Sequence, residues 1–440
     1  MLDKRFKLSE RGSSVRREVT GGATTYMTMV YIVFVQPVVL SSAGMDFGAV
    51  MMATCLSSAI ACFVMGFYAN YPVALAPAMG TNFYFAFTVV VGMKINWADA
   101  LGATFLAGLL FLGLSLTGIR EKVIDSLPAS LMNAMAAGIG LMIALVGLEW
   151  SGLIVDSSGT LVGLGDLKSP PVLLALFGLG LVSLLLVLDV PGAILIGILF
   201  TALAGLFTGL LEYQGVVSMP PSLSPTAFKL EMDSFFSWDL VVVILVFLFL
   251  DIFDTLGTLV GVAPEAGLIK DGHLLGGRKA LAADATGTVV GSLLGTSTIT
   301  CYVESAAGIQ SGARTGLAAV TTGILLCLTP FFYPLIKMIG GGVNVSQSLT
   351  LYPVTAPALI IIGVIMMKAA AKIPWSDFAE AVPAFLTMII MPLTVSITEG
   401  ISFGLISYSA LALARGKARE VSWPVYLCAV FFLLRYIFLV

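Results

Sequence analysis

Two stretches of the chain break its apolar runs: PVALAPAMGTN at residues 72–82 and GSLLGTSTITCYVES at residues 291–305. Pro77 lacks a backbone N–H, and Gly80 and Gly295 loosen a helix, so each stretch favours a short extended segment leading into a half-helix. Irregular backbone at membrane depth is tolerated only where protein buries it or where it lines a cavity. These stretches therefore predict two interrupted membrane spans beside an internal site.

Apolar runs recur along all 440 residues, of which 58% are hydrophobic and only 11% are charged. A helix needs about 20 apolar residues to cross a bilayer. An all-α polytopic membrane protein is therefore expected, with a leftover apolar run at 422–440 that hydropathy does not assign. The fourteen candidate spans are 22–42, 49–69, 72–92, 97–117, 129–149, 171–188, 191–211, 240–262, 279–295, 296–312, 316–336, 352–371, 378–397 and 398–414.

The longest polar stretch inside the chain, residues 212–239, separates the first seven candidate spans from the last seven. An odd number of spans per half makes the second half enter the membrane from the opposite side, which is an inverted-topology repeat. Since Lys and Arg concentrate in cytoplasmic loops, their distribution predicts a cytoplasmic N-terminus. The loop cations that this orientation leaves outside are Lys94, Lys168, Lys229 and Lys337.

Two carboxylates, Asp251 and Asp254, lie three residues apart in the apolar run LVFLFLDIFDTLGTLVG at residues 245–261. Insertion scales put an ionised Asp at a helix centre at about 2.5–3.5 kcal/mol, so an intramembrane acid is by default a functional residue. Asn82 and Glu304 add polar groups in the interrupted spans. These positions predict a solute or ion pathway; the alternative for each acid is a hydrogen-bonded or protonated packing residue.

The predicted site combines acceptors with donors. A carboxylate accepts hydrogen bonds, and an amide both donates and accepts, so the set suits a neutral, flat, hydrogen-bonding solute. Phe83 and Tyr302 offer ring faces for stacking, although aromatic residues in a span more often face lipid or the core. The hydroxyl residues Thr81 and Thr258 complete the predicted substrate-binding set.

Four segments in this order resemble the AzgA-like purine permeases of the nucleobase:cation symporter superfamily. They are ALAPAMGTN (74–82), DIFDTLGTL (251–259), GTSTITCYVESAAG (295–308) and DFAEAVPAFLTMIIMPLTVSITEGI (377–401). The resemblance covers essentially the full length. It implies seven plus seven inverted spans, a substrate-carrying core domain that moves like an elevator, a gate domain that makes oligomer contacts, and proton-coupled uptake of adenine, guanine or hypoxanthine.

The resemblance also assigns roles to single residues. Asp254 in the eighth span and Glu304 in the tenth bind the base, and Asn82 matches the third-span amide. Asp251, one helical turn before Asp254, is a secondary candidate. Glu304 and Asp254 are the candidates for proton coupling, and Glu304 is preferred because its span is broken and water can reach it.

The predicted domains follow from the resemblance and the span count. They are a cytoplasmic N-terminal segment (1–21), a core domain formed by two segments (22–128 and 240–351), a gate domain formed by two segments (129–211 and 352–414), an external loop (212–239) and a C-terminal basic loop with the extra apolar segment (415–440). The expected setting is the cell membrane. The expected partners are a purine, a proton, the lipid bilayer and, through the gate domain, a second copy in a homodimer.

Other classes of protein fit the sequence less well. Anion transport by the related sulfate-permease fold is the main alternative, but acids in the core disfavour an anion site. An enzyme is not expected, because the sole histidine, His273, lies in a loop and no HExxH motif is present. No cofactor, metal or nucleic-acid partner is expected, and the cysteines have no metal-type spacing, which favours packing roles.

Overall fold

The protein is described from a computed structural model. The structure describes residues 2–117, 128–157, 159–232, 238–263, 265–270, 273–345, 349–417 and 421–438. Three cations that the predicted orientation places in the cytoplasm, Arg120, Lys122 and Arg419, lie outside this part, and so does the side chain of His273.

Helices make up most of the described chain, as the apolar runs predict. The α-helices are Leu2–Phe6, Val15–Met29, Ile32–Ser41, Phe47–Val64, Met79–Phe83, Trp97–Thr117, Ala129–Trp150, Pro170–Val187, Ala193–Phe207, Trp238–Val262, Gly277–Leu294, Ser305–Gln310, Gly316–Leu328, Tyr333–Gly340, Ala356–Met366, Phe378–Thr394, Ile397–Ala414 and Trp423–Phe438. Wider π-helical turns form at Met65–Ala69 and Tyr84–Gly92, and tighter 3₁₀ turns at Thr329–Phe332 and Met367–Lys372.

Within the described residues, seven helical stretches are long and apolar enough to cross a membrane. They are Val15–Ser41, Phe47–Ala69, Trp97–Ser115, Ala129–Trp150, Pro170–Val187, Gly316–Gly340 and Ile397–Ala414. Shorter apolar helices occupy other predicted spans. The all-α membrane class is confirmed, and the total of fourteen spans stays a prediction.

The short strands form two-stranded antiparallel sheets. The pairs are Leu75–Pro77 with Ile299–Cys301, Ile154–Asp156 with Val162–Leu164, Ile269–Lys270 with His273–Leu274, and Val343–Asn344 with Thr350–Leu351. Only the first pair joins segments distant in sequence, and every one of its residues is buried. This pair, called the central strand pair below, lies where the sequence predicts the two interruptions.

Both predicted interruptions are confirmed. In the third span, the strand Leu75–Pro77 leads into the half-helix Met79–Phe83. In the tenth, Ile299–Cys301 leads into the half-helix Ser305–Gln310. The preceding helix stops at Gly295, whose φ of +101° is accessible to glycine and strained for other residues.

Contacts divide the chain into two compact units: unit 1 comprises Met1–Leu116 and Gly165–Ala358, and unit 2 comprises Thr117–Leu164 and Leu359–Val440. The contacts place residues 165–211 in unit 1, whereas the sequence-based scheme assigns them to the gate domain. The domain boundaries therefore stay a prediction. Both interrupted spans belong to unit 1.

Small residues let helices of unit 1 approach to backbone contact. A Cβ on Gly66 would lie 2.6 Å from the Gly316 carbonyl oxygen, and a Cβ on Gly308 would clash with the Gly21 carbonyl oxygen. At the second contact, the half-helix Ser305–Gln310 packs directly against the backbone of the helix Val15–Met29. Because backbones touch there, the position of this half-helix depends on glycine.

Unit 2 is built around the helices Ala129–Trp150, Phe378–Thr394 and Ile397–Ala414. A small apolar cluster of Ala134, Ala137, Ile373, Ala384 and Met388 fills its core. The leftover run forms the helix Trp423–Phe438, which packs on Ile397–Ala414 and is tied to it by the Tyr436 hydroxyl donating to Glu399.

Candidate functional site

The central strand pair brings the two interrupted spans face to face. Its register opposes Leu75 to Cys301, Ala76 to Thr300 and Pro77 to Ile299. A two-fold rotation of an antiparallel pair exchanges the first residues of the two strands, so Leu75 corresponds to Ile299. The two interruptions are thus equivalent halves of one structure, in line with an inverted repeat.

Each half-helix contributes a hydroxyl that meets the start of the other strand. Ser305 Oγ accepts a hydrogen bond from the Ala74 backbone N–H at 3.0 Å. At the equivalent place, the Thr81 hydroxyl is hydrogen-bonded to that of Thr298. The predicted site residue Thr81 therefore joins the two halves, and its hydroxyl is engaged within the protein.

One side chain of the preceding helix also holds each strand from behind. Cys62 Sγ accepts from the Leu75 N–H at 3.2 Å and lies 3.5 Å from the Leu75 carbonyl, to which its S–H donates. Thr288 Oγ1 contacts the same two groups of Ile299, the N–H at 3.1 Å and the carbonyl at 2.9 Å. The expectation that Cys62 only packs misses this bond.

The amide of Asn82 lies at the junction of the two halves. Its Oδ1 accepts from the Ser297 hydroxyl, while its Nδ2 is buried and has no hydrogen-bond partner among the described residues. Gln36, in the helix Ile32–Ser41, donates through Nε2 to Ser297 Oγ at 3.2 Å and to Thr296 Oγ1 at 3.0 Å. An unused amide donor in such a place is available to a ligand.

Glu304 and Asp254, both predicted to bind the base, lie near each other. Glu304 is half-buried, and its Oε1 accepts from the Tyr31 hydroxyl at 2.6 Å. The Asp254 side chain is exposed, and its carboxylate interacts electrostatically with that of Glu304. The hydroxyls of Tyr31 and Tyr302 interact with both acids. Two carboxylates and two phenols therefore lie close enough to interact beside the interrupted spans.

Asp251 points elsewhere. It is 1% exposed, and its Oδ2 lies 3.0 Å from Thr288 Oγ1, on the helix Gly277–Leu294. One turn earlier on that helix, the fully buried Asp284 accepts from Thr255 at 2.8 Å. Both acids therefore lie behind the strand Ile299–Cys301.

The other predicted residues have packing contacts. Phe83 is buried and stacks on Phe87, with ring centroids 5.5 Å apart and planes at 27°. The Tyr302 hydroxyl donates to the Pro77 carbonyl at 2.6 Å, which ties the two interruptions together. Thr258 lies one helical turn after Asp254 and is 8% exposed.

Three polar residues of this region escape the sequence-based prediction: Tyr31, Gln36 and Asp284. Asp284 has a signal in the sequence, since it is an acid inside a predicted span and the insertion cost that singles out Asp251 applies to it as well. Gln36 has a weaker one, as a neutral amide inside a span that needs hydrogen-bond partners when buried. Tyr31 has none, because a tyrosine in an apolar run is ordinary. Among the described residues, no group of three or more His, Cys, Asp or Glu side chains could hold a metal ion.

Comparisons with known proteins agree over most of the chain. The family model described as "Permease family" matches residues 16–403. A guanine/hypoxanthine permease of Bacillus subtilis is 46% identical over 446 residues, covering 99% of both chains. An adenine permease of Escherichia coli is 41% identical over 440 residues, covering 100% of this chain and 96% of the relative.

Among solved structures, the transmembrane domain of a cyanobacterial bicarbonate transporter superposes with a TM-score of 0.65 at 15% sequence identity. The match covers 88% of this chain and 97% of that domain. At such low identity the likeness establishes the fold alone. That fold is a helical membrane transporter of two inverted repeats, as the paired interruptions indicate.

Proposed function

This chain belongs to the permease family whose model matches residues 16–403, and from that membership we propose that it imports purine nucleobases in symport with protons. Its relatives are permeases, so it is a transporter and not an enzyme, and its apolar helices make it a multi-pass membrane protein. The proposed substrates are adenine, guanine or hypoxanthine, because the relatives are named as permeases for these bases.

One observation carries the choice of substrate: the amide of Asn82 and the carboxylates of Asp254 and Glu304 are presented around the central strand pair. A purine has ring N–H donors and ring nitrogen acceptors along its edges. Carboxylates accept from the former, and the unused Nδ2 of Asn82 donates to the latter. A flat, neutral base can therefore form hydrogen bonds with the Asn82 amide and the two carboxylates, and a few such polar groups are what fixes a ligand's orientation in a pocket.

Proton coupling is assigned to Glu304 and Asp254. Two neighbouring carboxylates disfavour double ionisation, so a proton shared with the pair removes a charge that would otherwise move through the membrane. Glu304 is the preferred carrier, because it stands at the start of the half-helix of an interrupted span, whereas Asp254 lies inside the continuous helix Trp238–Val262. Purine binding then favours the protonated, charge-compensated state.

The transport step is proposed to be an elevator-like movement of the core domain. The division of the chain into two compact units supports this movement, because a compact unit can move as a body. The proposed setting is the cell membrane with a cytoplasmic N-terminus, and the proposed assembly is a homodimer.

Anion transport remains the rival for this fold. Two acids facing one point would repel an anion, whereas a neutral base gains hydrogen bonds from them. If the rival were correct, anion uptake would survive the loss of Asp254. Under the proposal, Asp254→Asn stops purine uptake, and no anion replaces the purine as substrate.

An uptake panel tests the substrate. Cells lacking their own permeases, and expressing this chain, are given radiolabelled adenine, guanine, hypoxanthine, xanthine and uracil. Accumulation of at least one of the first three, with little uracil, is expected. Uptake of none of them would overturn the purine assignment.

Proteoliposomes test the coupling. With an imposed pH gradient and no sodium, purine accumulation is expected to rise as external pH falls from about 8 to about 6, and to collapse with a protonophore. Accumulation that ignores the gradient would leave facilitated diffusion or sodium coupling and would rule out proton symport.

A further inference from the structure

The Thr288 hydroxyl makes three close polar contacts, in which it can donate only one hydrogen bond. Its Oγ1 lies 3.0 Å from Asp251 Oδ2, 2.9 Å from the Ile299 carbonyl oxygen and 3.1 Å from the Ile299 nitrogen. A hydroxyl donates one hydrogen bond and accepts two. Thr288 can therefore donate in one of these contacts and must accept in the other two if all three are hydrogen bonds.

The backbone of Ile299 settles two of the contacts. Its N–H is a donor, so the bond at 3.1 Å runs from Ile299 to Thr288. Its carbonyl is an acceptor and needs a donor. The strand-pairing bond beside it runs from the Ala78 N–H to the Thr298 carbonyl, so in this antiparallel pair the backbone groups of Ile299 point away from the partner strand. Among the described residues, Thr288 is the donor that reaches this buried carbonyl.

Two assignments for Asp251 remain. If Asp251 is ionised, Thr288 must give it its only proton, and the Ile299 carbonyl then faces the Thr288 oxygen at 2.9 Å with no hydrogen between them. If Asp251 is neutral, its O–H donates to Thr288, the hydroxyl donates to Ile299, and all three contacts are hydrogen bonds. We infer that Asp251 is held as a neutral carboxylic acid and positions the strand Ile299–Cys301 through Thr288.

The surroundings agree with a neutral acid. Asp251 is 1% exposed in a membrane helix. Titratable groups near it are the acids Asp254, on its own helix, and Asp284, on the helix of Thr288, and the thiol of Cys301 on the strand. The cations of the helix of Thr288, Arg278 and Lys279, are exposed in its first turn, more than two turns before Thr288. Nearby acids and burial both favour the protonated form of a carboxyl group.

The equivalent place in the other half supplies an internal reference. Cys62 serves both backbone groups of Leu75 with one S–H and one acceptor site. It therefore completes its two bonds by itself. Thr288 performs the same task and in addition accepts a hydrogen bond from the Asp251 O–H. Asp251 is thus a positioning residue: it fixes the strand that leads to Glu304, while Asp254 faces the ligand.

Conservative variants separate a neutral acid from a carboxylate. In Asp251→Asn, an amide N–H donates to Thr288 in place of the acid proton, so purine affinity should stay within about threefold of the wild type. Asp251→Leu removes the donor and should lower affinity about tenfold or more. Thr288→Ser should behave like the wild type and Thr288→Val like Asp251→Leu. An Asp251→Asn protein as impaired as Asp251→Leu would overturn the inference.

The purine readout rests on the proposed function, so a second measurement avoids substrate. Infrared spectra of the purified protein at neutral pH should show the carbonyl stretch of a protonated carboxylic acid that disappears in Asp251→Asn. Asp377→Asn is the control, since that exposed carboxylate is paired with Arg415 and should contribute no such band. If the Asp251→Asn spectrum loses no such band, the inference is overturned, whatever the substrate proves to be.

Discussion

The two interrupted spans share one backbone design and differ in the chemistry placed on it. Each has a short strand, a hydroxyl that reaches the other half, and a side chain that holds the strand from behind. In the first half the added groups are neutral, the thiol of Cys62 and the amide of Asn82. In the second they are Glu304 and the Thr288–Asp251 pair. Around the central strand pair, the carboxyl groups named here therefore come from one half of a duplicated fold.

Support for the half-helices differs as well. The first continues into the π-helical turns Tyr84–Gly92 and is packed by aromatic rings, with Tyr84 edge-on to Phe247 at 5.0 Å. The second ends after six residues and rests on the backbone of the helix Val15–Met29. The half that bears the acid is thus the one held by backbone contact.

The sharpest test of the charge difference removes the acids of the second half. Glu304→Gln and Asp254→Asn each replace an acceptor-only carboxylate with an amide that turns donors toward the donors of the base, so purine affinity should fall on the order of 100-fold. Equilibrium binding to purified protein measures this. Glu212→Gln makes the same change at an exposed position and should bind normally. Tight binding by both site variants would remove the proposed site.

The difference in support predicts a stability effect confined to the second half. In Gly308→Ala the new Cβ would clash with Thr25 Oγ1 and with the Gly21 carbonyl oxygen, and relief requires the helices to separate. A loss of about 2 kcal/mol in the free energy of unfolding is expected from such overpacking.

Thermal unfolding in detergent checks this loss, with Gly113→Ala as its matched control. Gly113 lies in the helix Trp97–Thr117 with open space around it, and alanine there should be neutral or stabilising. Equal Tm values for the two variants would mean that backbone contact does not hold the half-helix.

A smaller effect is expected from the first half of the site. Asn82→Ala deletes the proposed bond to the base without leaving a charge unpaired, so purine affinity should fall about tenfold, less than for the acid variants. The same binding assay applies. Asn133→Ala, which removes an amide bonded within its own helix, should leave binding unchanged. A loss as large as that of Glu304→Gln would mean that the two halves contribute equally.

The smallest effect concerns the thiol behind the first strand. Cys62→Ser keeps one donor and one acceptor and should retain stability, whereas Cys62→Ala leaves the Leu75 backbone groups without their partner and should cost about 1 kcal/mol. Thermal unfolding distinguishes them. Cys55→Ala, a buried thiol whose contact is Met51 Sδ, should change Tm less. Identical behaviour of the two Cys62 variants would contradict the equivalence with Thr288.

The sequence predicts the interruptions because their causes are local. Pro77 removes a donor and Gly295 takes a left-handed conformation, and both effects are written in single residues. The membrane cost of charge likewise marks Asp254 and Glu304. Asp284 carries the same signal, and Gln36 a weaker one, because each is a polar side chain inside an apolar run.

Partners are harder to predict than positions. Tyr31 and Glu304 are 273 residues apart in the chain, and the bond between them depends on the packing of two helices, which no periodicity records. The different partners of Asp251 and Asp254 have a similar origin, because residues three apart on a helix lie on one face, about 60° apart, and the neighbouring elements decide which group each side chain contacts. The division of residues 165–211 between units depends on contacts in the same way.

The central strand pair also constrains how the chain is made. Leu75 is paired with Cys301, so during synthesis the first strand waits for more than two hundred residues before its partner exists. At ordinary elongation rates of about 5–20 residues per second, the delay is roughly 10–45 s. Until the second strand is made, the backbone groups of Leu75–Pro77 that pair with Ile299–Cys301 need other hydrogen-bonding partners. Biogenesis of this fold is therefore completed late and as a whole, by the arrival of the second repeat.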